Sequence, residues 1–425
     1  MRRKTVITVA AAVVLVGAAV STGVASAHEN PKRHYSHGAR SEAGSGGRAG
    51  MLFVQSNNPE HNSVLAFHRA ADGSLSPAGE FRTGGRGGAQ KDNPFDPLAS
   101  QESLVFDRAH QTMIAVNAGS NSVTTFRVRG DRLSDPRTVS SGGDFPTSIA
   151  VAGETVYVLN AGGRTNVTGF RMTPSGLRRL SHSTRDLGIS NDAVPLFTAS
   201  PPQVGFSPDG RHLVVTTKSA NTIDVFAVGR DGRLSAKPVS TKSTGDVPFS
   251  FVFDRKGHLL VTEAAKSGVS SYTLQKNGKL KVITASVESG QQVLCWIAPA
   301  GQFFYGTNPG SSTVSLYAVD GAGRVTIGGK QGVIAVAGGD AAAKEVAAAA
   351  KQTAAGKKAE KAPGAGPIDL AATADGRLLY VQNTLAGTVE GFRVGSDGSL
   401  KLVTTLAKGL PKFADGSGME GIVVW

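Results

Sequence analysis

The chain has 425 residues, a formal net charge of +13 and a single cysteine, Cys295. One thiol allows no internal disulfide, so stability has to come from apolar burial, which a chain of this length can supply. The positive balance favours anionic partners. Specific nucleic-acid recognition is excluded, since there is no zinc-finger spacing and no basic helix interleaved with aromatics.

In chain order, Arg2, Arg3 and Lys4 precede an apolar run from Val6 to Val20 and a small-residue site at Ala25-Ser26-Ala27. This is the pattern of an export signal over residues 1–27. The apolar run is too short for a spanning helix, so the predicted product is secreted, extracellular or cell-wall associated, and not membrane-spanning. Removing the three basic residues of that segment leaves +10. Residues 28–50 are rich in Gly, Ser, Arg and His and have little to bury, which predicts a disordered leader. His28, His34 and His37 would bind a metal loosely at most.

From Met51 onward one unit recurs seven times. A strand such as LLYVQN is followed by a polar loop, a strand such as TVEGF, a Gly-containing turn and a further strand. The first strands of these pairs start at Met51, Met113, Val156, Leu213, Leu259, Phe303 and Leu378. Before each pair, save the first, stands another apolar strand, anchored at Leu104, Ile149, Val204, Phe251, Cys295 and Leu370; a seventh anchor, Ile422, follows the last pair. Turns such as SPDGR and TADGR join it to the next strand, because Gly accepts positive φ and Pro presets the turn. Four short antiparallel strands in about 45 residues form a propeller blade. The predicted fold is therefore all-β: one seven-bladed β-propeller over 51–425, closed by GIVV at the C-terminal end joining the first blade. Three insertions, 84–100, 184–200 and 331–366, fall on one face of the ring. The last contains AAAKEVAAAAKQTAAGKKAEKA, which predicts a flexible or helical segment.

The units PDGRHLVV…NTIDVF, DRKGHLLVTE…VSSY and ADGRLLYVQN…TVEGF resemble the seven-bladed lactonase-like propellers, the family of bacterial 6-phosphogluconolactonases and fungal carboxymuconate cyclases. The resemblance implies a small lactone as substrate and places an acid at Glu263, in Val261-Thr262-Glu263. It also implies an Arg-His pair where this chain has Phe249 and Ser250, and a Pro-His where it has Pro201-Pro202-Gln203. These departures count against the family's chemistry.

Read against its own repeat, Glu263 stands where the other copies carry Asn117, Asn160, Thr217, Asn308 and Asn383. Those amides are expected to satisfy loop groups; a carboxylate in that belt is a candidate acid or base. His61, in the NNPEHNS loop, is the histidine on the predicted binding face. His212 and His258 begin strands just after a turn, His110 sits in the matching turn and His68 follows a strand-pair Phe; all four read as surface residues. The channel lining is predicted as Ser103, Ser148, Gln203, Ser250, Leu294, Asp369 and Gly421, with Asp369 its one charge. Cys295 reads as a buried inert thiol. The candidate catalytic set is Glu263, His61 and Asp369. No cofactor is expected, as neither a P-loop nor an H-E-x-x-H is present. Two functions remain open: a secreted lactonase-like hydrolase, and a non-catalytic propeller presenting loops to an extracellular or cell-wall anionic ligand.

Overall fold

A computed structural model describes residues 48–93, 95–330, 332–354, 364–411 and 418–425. The export signal, His28, His34, His37 and all but the end of the leader lie outside them. The seven sequence units form seven antiparallel sheets, five of four strands and two of five. Blade 1 begins at Arg48, three residues before Met51, with strands Arg48–Gln55, Ser63–Ala70 and Leu75–Arg82. Its innermost strand is Ile422–Val424 from the far end of the chain. Leu52, Phe53 and Val54 pair with Val424, Val423 and Ile422, and Trp425 stacks on Phe53 and Phe106 with centroids 4.9 and 4.2 Å away. The ring is closed as predicted.

Why these residues make blades is visible in their burial. The second strand of blade 7, Leu378–Asn383, is buried at every position, as a strand between two neighbouring sheets must be. The outer strand Leu280–Glu288 of blade 5 has no buried position. Apolar clusters accordingly lie between successive blades: Val214, Ile223 and Val225 of blade 4 pack with Phe251, Leu259 and Tyr272 of blade 5. Tyrosines stitch the joints, with the hydroxyls of Tyr157, Tyr305 and Tyr380 donating to the carbonyls of Gly232, Gly398 and Gly73 in the following blade at 2.8–2.9 Å. Gly376, in TADGR, has φ +68°, and a Cβ there would lie 2.1 Å from Gly301 N, so the turn demands glycine twice over.

Two expectations need adjusting. Within 184–200, Arg185–Ser190 is a strand paired with Arg164–Thr173, so part of that insertion belongs to the blade. His212 is buried (6% exposed), because it opens a second strand at the floor of an inter-blade groove rather than at a turn tip. The third insertion carries a helix, Gly339–Ala354.

Candidate functional site

The channel mouth is built by chain that does not follow the repeat. Residues 95–101 turn inward over the ring, and Phe95, Asp96, Leu98, Ala99, Ser100 and Gln101 are all buried. They are fixed from several sides. Trp296 Nε1 of blade 6 donates to Ser100 O at 2.7 Å. Gln101, beside blade 2, exchanges two hydrogen bonds with the Ile297 backbone across the channel. The Ser100 hydroxyl donates to Thr147 O at 2.9 Å. The second insertion locks onto the first: Lys91 N donates to Pro195 O, and Phe197 N to Lys91 O, both at 2.9 Å. Phe95 meets Phe197 edge to face at 5.9 Å.

Beneath this cover lie more charges than the sequence suggested. Asp369 is buried as expected, but it is not alone: Asp96, Glu420 and Lys218 are buried with it, and Glu102 is half-buried nearby. The expectation of a single charge in the channel is thereby corrected. It failed because Asp96, Lys218 and Glu420 sit in connecting segments, where a charged residue ordinarily reads as solvated.

The electrostatics follow from burial. Asp96 Oδ1 accepts from Ala99 N at 2.7 Å, and Glu420 Oε2 from Leu98 N at 3.4 Å. Asp96 Oδ2 and Glu420 Oε1 have no donor. The charge of Asp96 bears directly on Glu420 in this buried pair, so both cannot ionise together and one keeps its proton. Burial first, then the Asp96 charge, pushes the Glu420 carboxyl well up; burial raises Asp96 also, against the hydrogen bond from Glu420. Glu420 is thus the protonated member. Asp369 is held well above the usual carboxylate range by burial and by Glu102, and burial lifts Glu102 to about 7.

Lys218 faces the opposite penalty. Burial lowers its ammonium to about 8, against the pull of Asp96, Cys295 and Glu420. No carboxylate of the described residues closes to ion-pair distance with it. Its ammonium donates to the Phe197 carbonyl and lies 4.6 and 5.3 Å from the ring centroids of Phe197 and Phe249. Phe249, where the resemblance implies an arginine, packs against Trp296 at 5.0 Å and forms one wall of this cation's cage. The Ser250 hydroxyl is buried without a partner. Cys295 is buried, and desolvation pushes its thiol well up.

The three residues predicted as a catalytic set occupy different surroundings. Asp369 belongs to the channel cluster. Glu263 is fully buried in blade 5, where Oε1 accepts from Ser243 and Ser270 at 2.5 Å and Oε2 has no partner. Burial raises its carboxyl to about 7, with Asp246 adding to the shift. His61 is half-buried, its backbone N–H donating to Asn58 Oδ1 at 3.2 Å. Lys218 was missed, although a signal was present. It follows the strand end where other copies carry Ala118, Ala161, Ala264, Pro309 and Thr384, and so breaks a run of small residues. Among the described residues no group of three or more His, Cys, Asp or Glu is arranged to hold a metal ion. No helix of the described residues is long and apolar enough to cross a membrane.

Comparisons with known proteins place this architecture. Residues 189–297 match the family model Lactonase, 7-bladed beta-propeller. No curated protein matches the sequence. Among solved structures, the periplasmic gluconolactonase of Pseudomonas aeruginosa is 18% identical with TM-score 0.61, covering 86% of this chain and 98% of that one. A Bacteroides fragilis protein, named provisionally as a 6-phosphogluconolactonase, is 16% identical with TM-score 0.61, over 88% and 98%. A Lactobacillus plantarum protein is 14% identical with TM-score 0.61, over 88% and 99%. At these identities the structural likeness carries the fold. In sequence and in fold the chain is similar to the lactonase-type seven-bladed propellers.

Proposed function

We propose that the protein hydrolyses a small lactone at its channel mouth. The observation that carries this reading is the joint burial of Asp96, Glu420 and Lys218: two carboxyls that cannot both ionise, and an ammonium with no ion-pair partner among the described residues. Such a pair supplies base and acid together. Asp96 takes a proton from water as the water oxygen attacks the lactone carbonyl. The oxyanion forms in the field of Lys218. As the ring C–O bond breaks, Glu420 gives its proton to the departing alkoxide. The pair ends with the same number of protons, exchanged between its members, and the product is a hydroxy acid.

Two further parts of the reading rest on the sequence. The signal pattern in residues 1–27 supports an extracellular or cell-wall-associated lactone as the substrate. Glu263 is a separate candidate acid, by virtue of its raised carboxyl and its open oxygen.

The test is hydrolysis of a panel of aldonic and aliphatic lactones, followed by pH-stat. Wild-type turnover with a loss of about 10²–10⁴-fold in Glu420→Gln is expected. Hydrolysis no faster than buffer by the wild type would end the proposal. Equal turnover by Glu420→Gln together with loss in Glu263→Gln would move the chemistry to blade 5.

A further inference from the structure

The opposite face of the ring, where the SPDGR-type turns lie, carries three inter-blade grooves that differ in how their charge is balanced. The groove between blades 2 and 3 is lined by Arg127, Arg129 and Arg137 together with Asp135 and Glu154, and Asp135 takes Arg127 and Arg137 at 3.4 and 2.8 Å. The groove bordered by blades 5, 6 and 7 sets Arg255 and Lys256 against Asp254 and Asp320. The groove between blades 4 and 5 has a volume of about 710 Å³ and holds Arg211, Arg230 and Lys276 with one carboxylate, Asp209; Arg255 and Lys256 border it but send their heads to the Gly301 and Gly321 carbonyls of the neighbouring groove.

The pairing inside this third groove is also weak. Asp209 Oδ2 stands 3.9 Å from Arg211 Nε, while its Oδ1 accepts from the Ser207 hydroxyl and the Arg211 backbone N–H. Arg230 and Lys276 are exposed and pair with no carboxylate among the described residues. Asp231, next to Arg230, is engaged by Arg233 at 2.6 Å. Three cationic heads around one cleft repel each other, and their clustering costs free energy unless an anion sits among them.

We propose that this groove binds a phosphate-bearing polymer, laid across the joint between blades 4 and 5. Guanidinium forks match phosphate oxygens in pairs, and Lys276 adds a point charge on the flank. The spread of the three heads from blade 4 to blade 5 favours several linked phosphates over a single ion. This gives the anionic ligand expected from overall charge a definite place. The groove is independent of the channel mouth, on the other end of the strands.

The probe is fluorescently labelled inorganic polyphosphate, measured by anisotropy against the wild-type protein from low to physiological salt. Expected is saturable binding that weakens with salt, lost at least tenfold in Arg230→Ala/Lys276→Ala, with the salt slope reduced by roughly one to two. Arg127→Ala/Arg137→Ala, which removes the same charge where Asp135 already takes both side chains, should bind as wild type does. Equal loss in both double variants would mean that net charge alone attracts the polymer, and would overturn the site. Competition by orthophosphate at equal total phosphate would overturn the polymer, and equal affinity for polyglutamate would overturn phosphate as the recognised group. The exposed side chains chosen leave the fold intact; matching thermal midpoints check this.

Discussion

The belt of strand ends and the channel mouth both bury polar side chains, and they do so by opposite rules. In the belt, the partner comes from the same blade, seven residues on: Asn117 to Thr124, Asn308 to Ser315, Asn383 to Glu390, and Ser270 to Glu263. At the mouth, Asp96, Glu102, Lys218, Asp369 and Glu420 come from segments scattered over the whole chain. A repeat can supply local partners to every copy of a position. It cannot supply five different charges to one axis. The belt is therefore replaceable blade by blade, whereas the mouth depends on the ring as a whole.

The sharpest way to break this contrast is to cut the mouth's anchor. Trp296→Ala removes the ring packed on Phe249 and the donor to Ser100 O, and should cost about 3–5 kcal/mol, read by chemical denaturation. A cost near that of a belt variant would show that residues 95–101 are held elsewhere. Lys218→Met separates function from stability. It should lower kcat/KM for a lactone about a hundredfold and leave the thermal midpoint unchanged or higher, because an unpaired buried ammonium goes. In the wild type, kcat/KM should fall above pH about 8 as this amine discharges, and the variant should lack that limb.

Glu263→Gln asks whether blade 5 is a belt position or a site. Its folded carboxyl is raised to about 7 by burial, so the protonated form is favoured and stability declines as pH rises from the unfolded value through about 7. The wild type should lose about 2 kcal/mol over that window, and Glu263→Gln should be flatter, measured by thermal midpoints from pH 4.5 to 8. A parallel decline in both proteins would remove Glu263 as the cause. The smallest effect belongs to Asn308→Ala. Its amide donates to Thr313 and Ser315, and its loss should cost about 1 kcal/mol without touching turnover.

What the sequence could show follows the same division. The strand pairs, the seven anchors and the closing strand were legible because apolar alternation and Asp-Gly turns recur, and each copy corroborates the next. Leu378–Asn383 paired with Thr388–Val394 is the pattern as written. Asp369 was found because it sits inside the repeat, one residue before an anchor. Asp96 and Glu420 were not, since their burial is caused by tertiary closure of segments with no periodicity. The substitution of Phe249 for a family cation was visible, but not that Lys218 brings a cation back to the face of that same ring.

The seal between Leu52–Val54 and Ile422–Val424 has a consequence for how the molecule forms. It joins strands about as far apart in the chain as the fold allows, so it is among the last contacts whose chain entropy can be recovered. Until the seventh blade is in place, blade 1 presents an open edge with unpaired backbone groups. Glu420, two residues before the seal, reaches Asp96 only where the two ends of the chain meet, so the proposed catalytic pair depends on the closed ring.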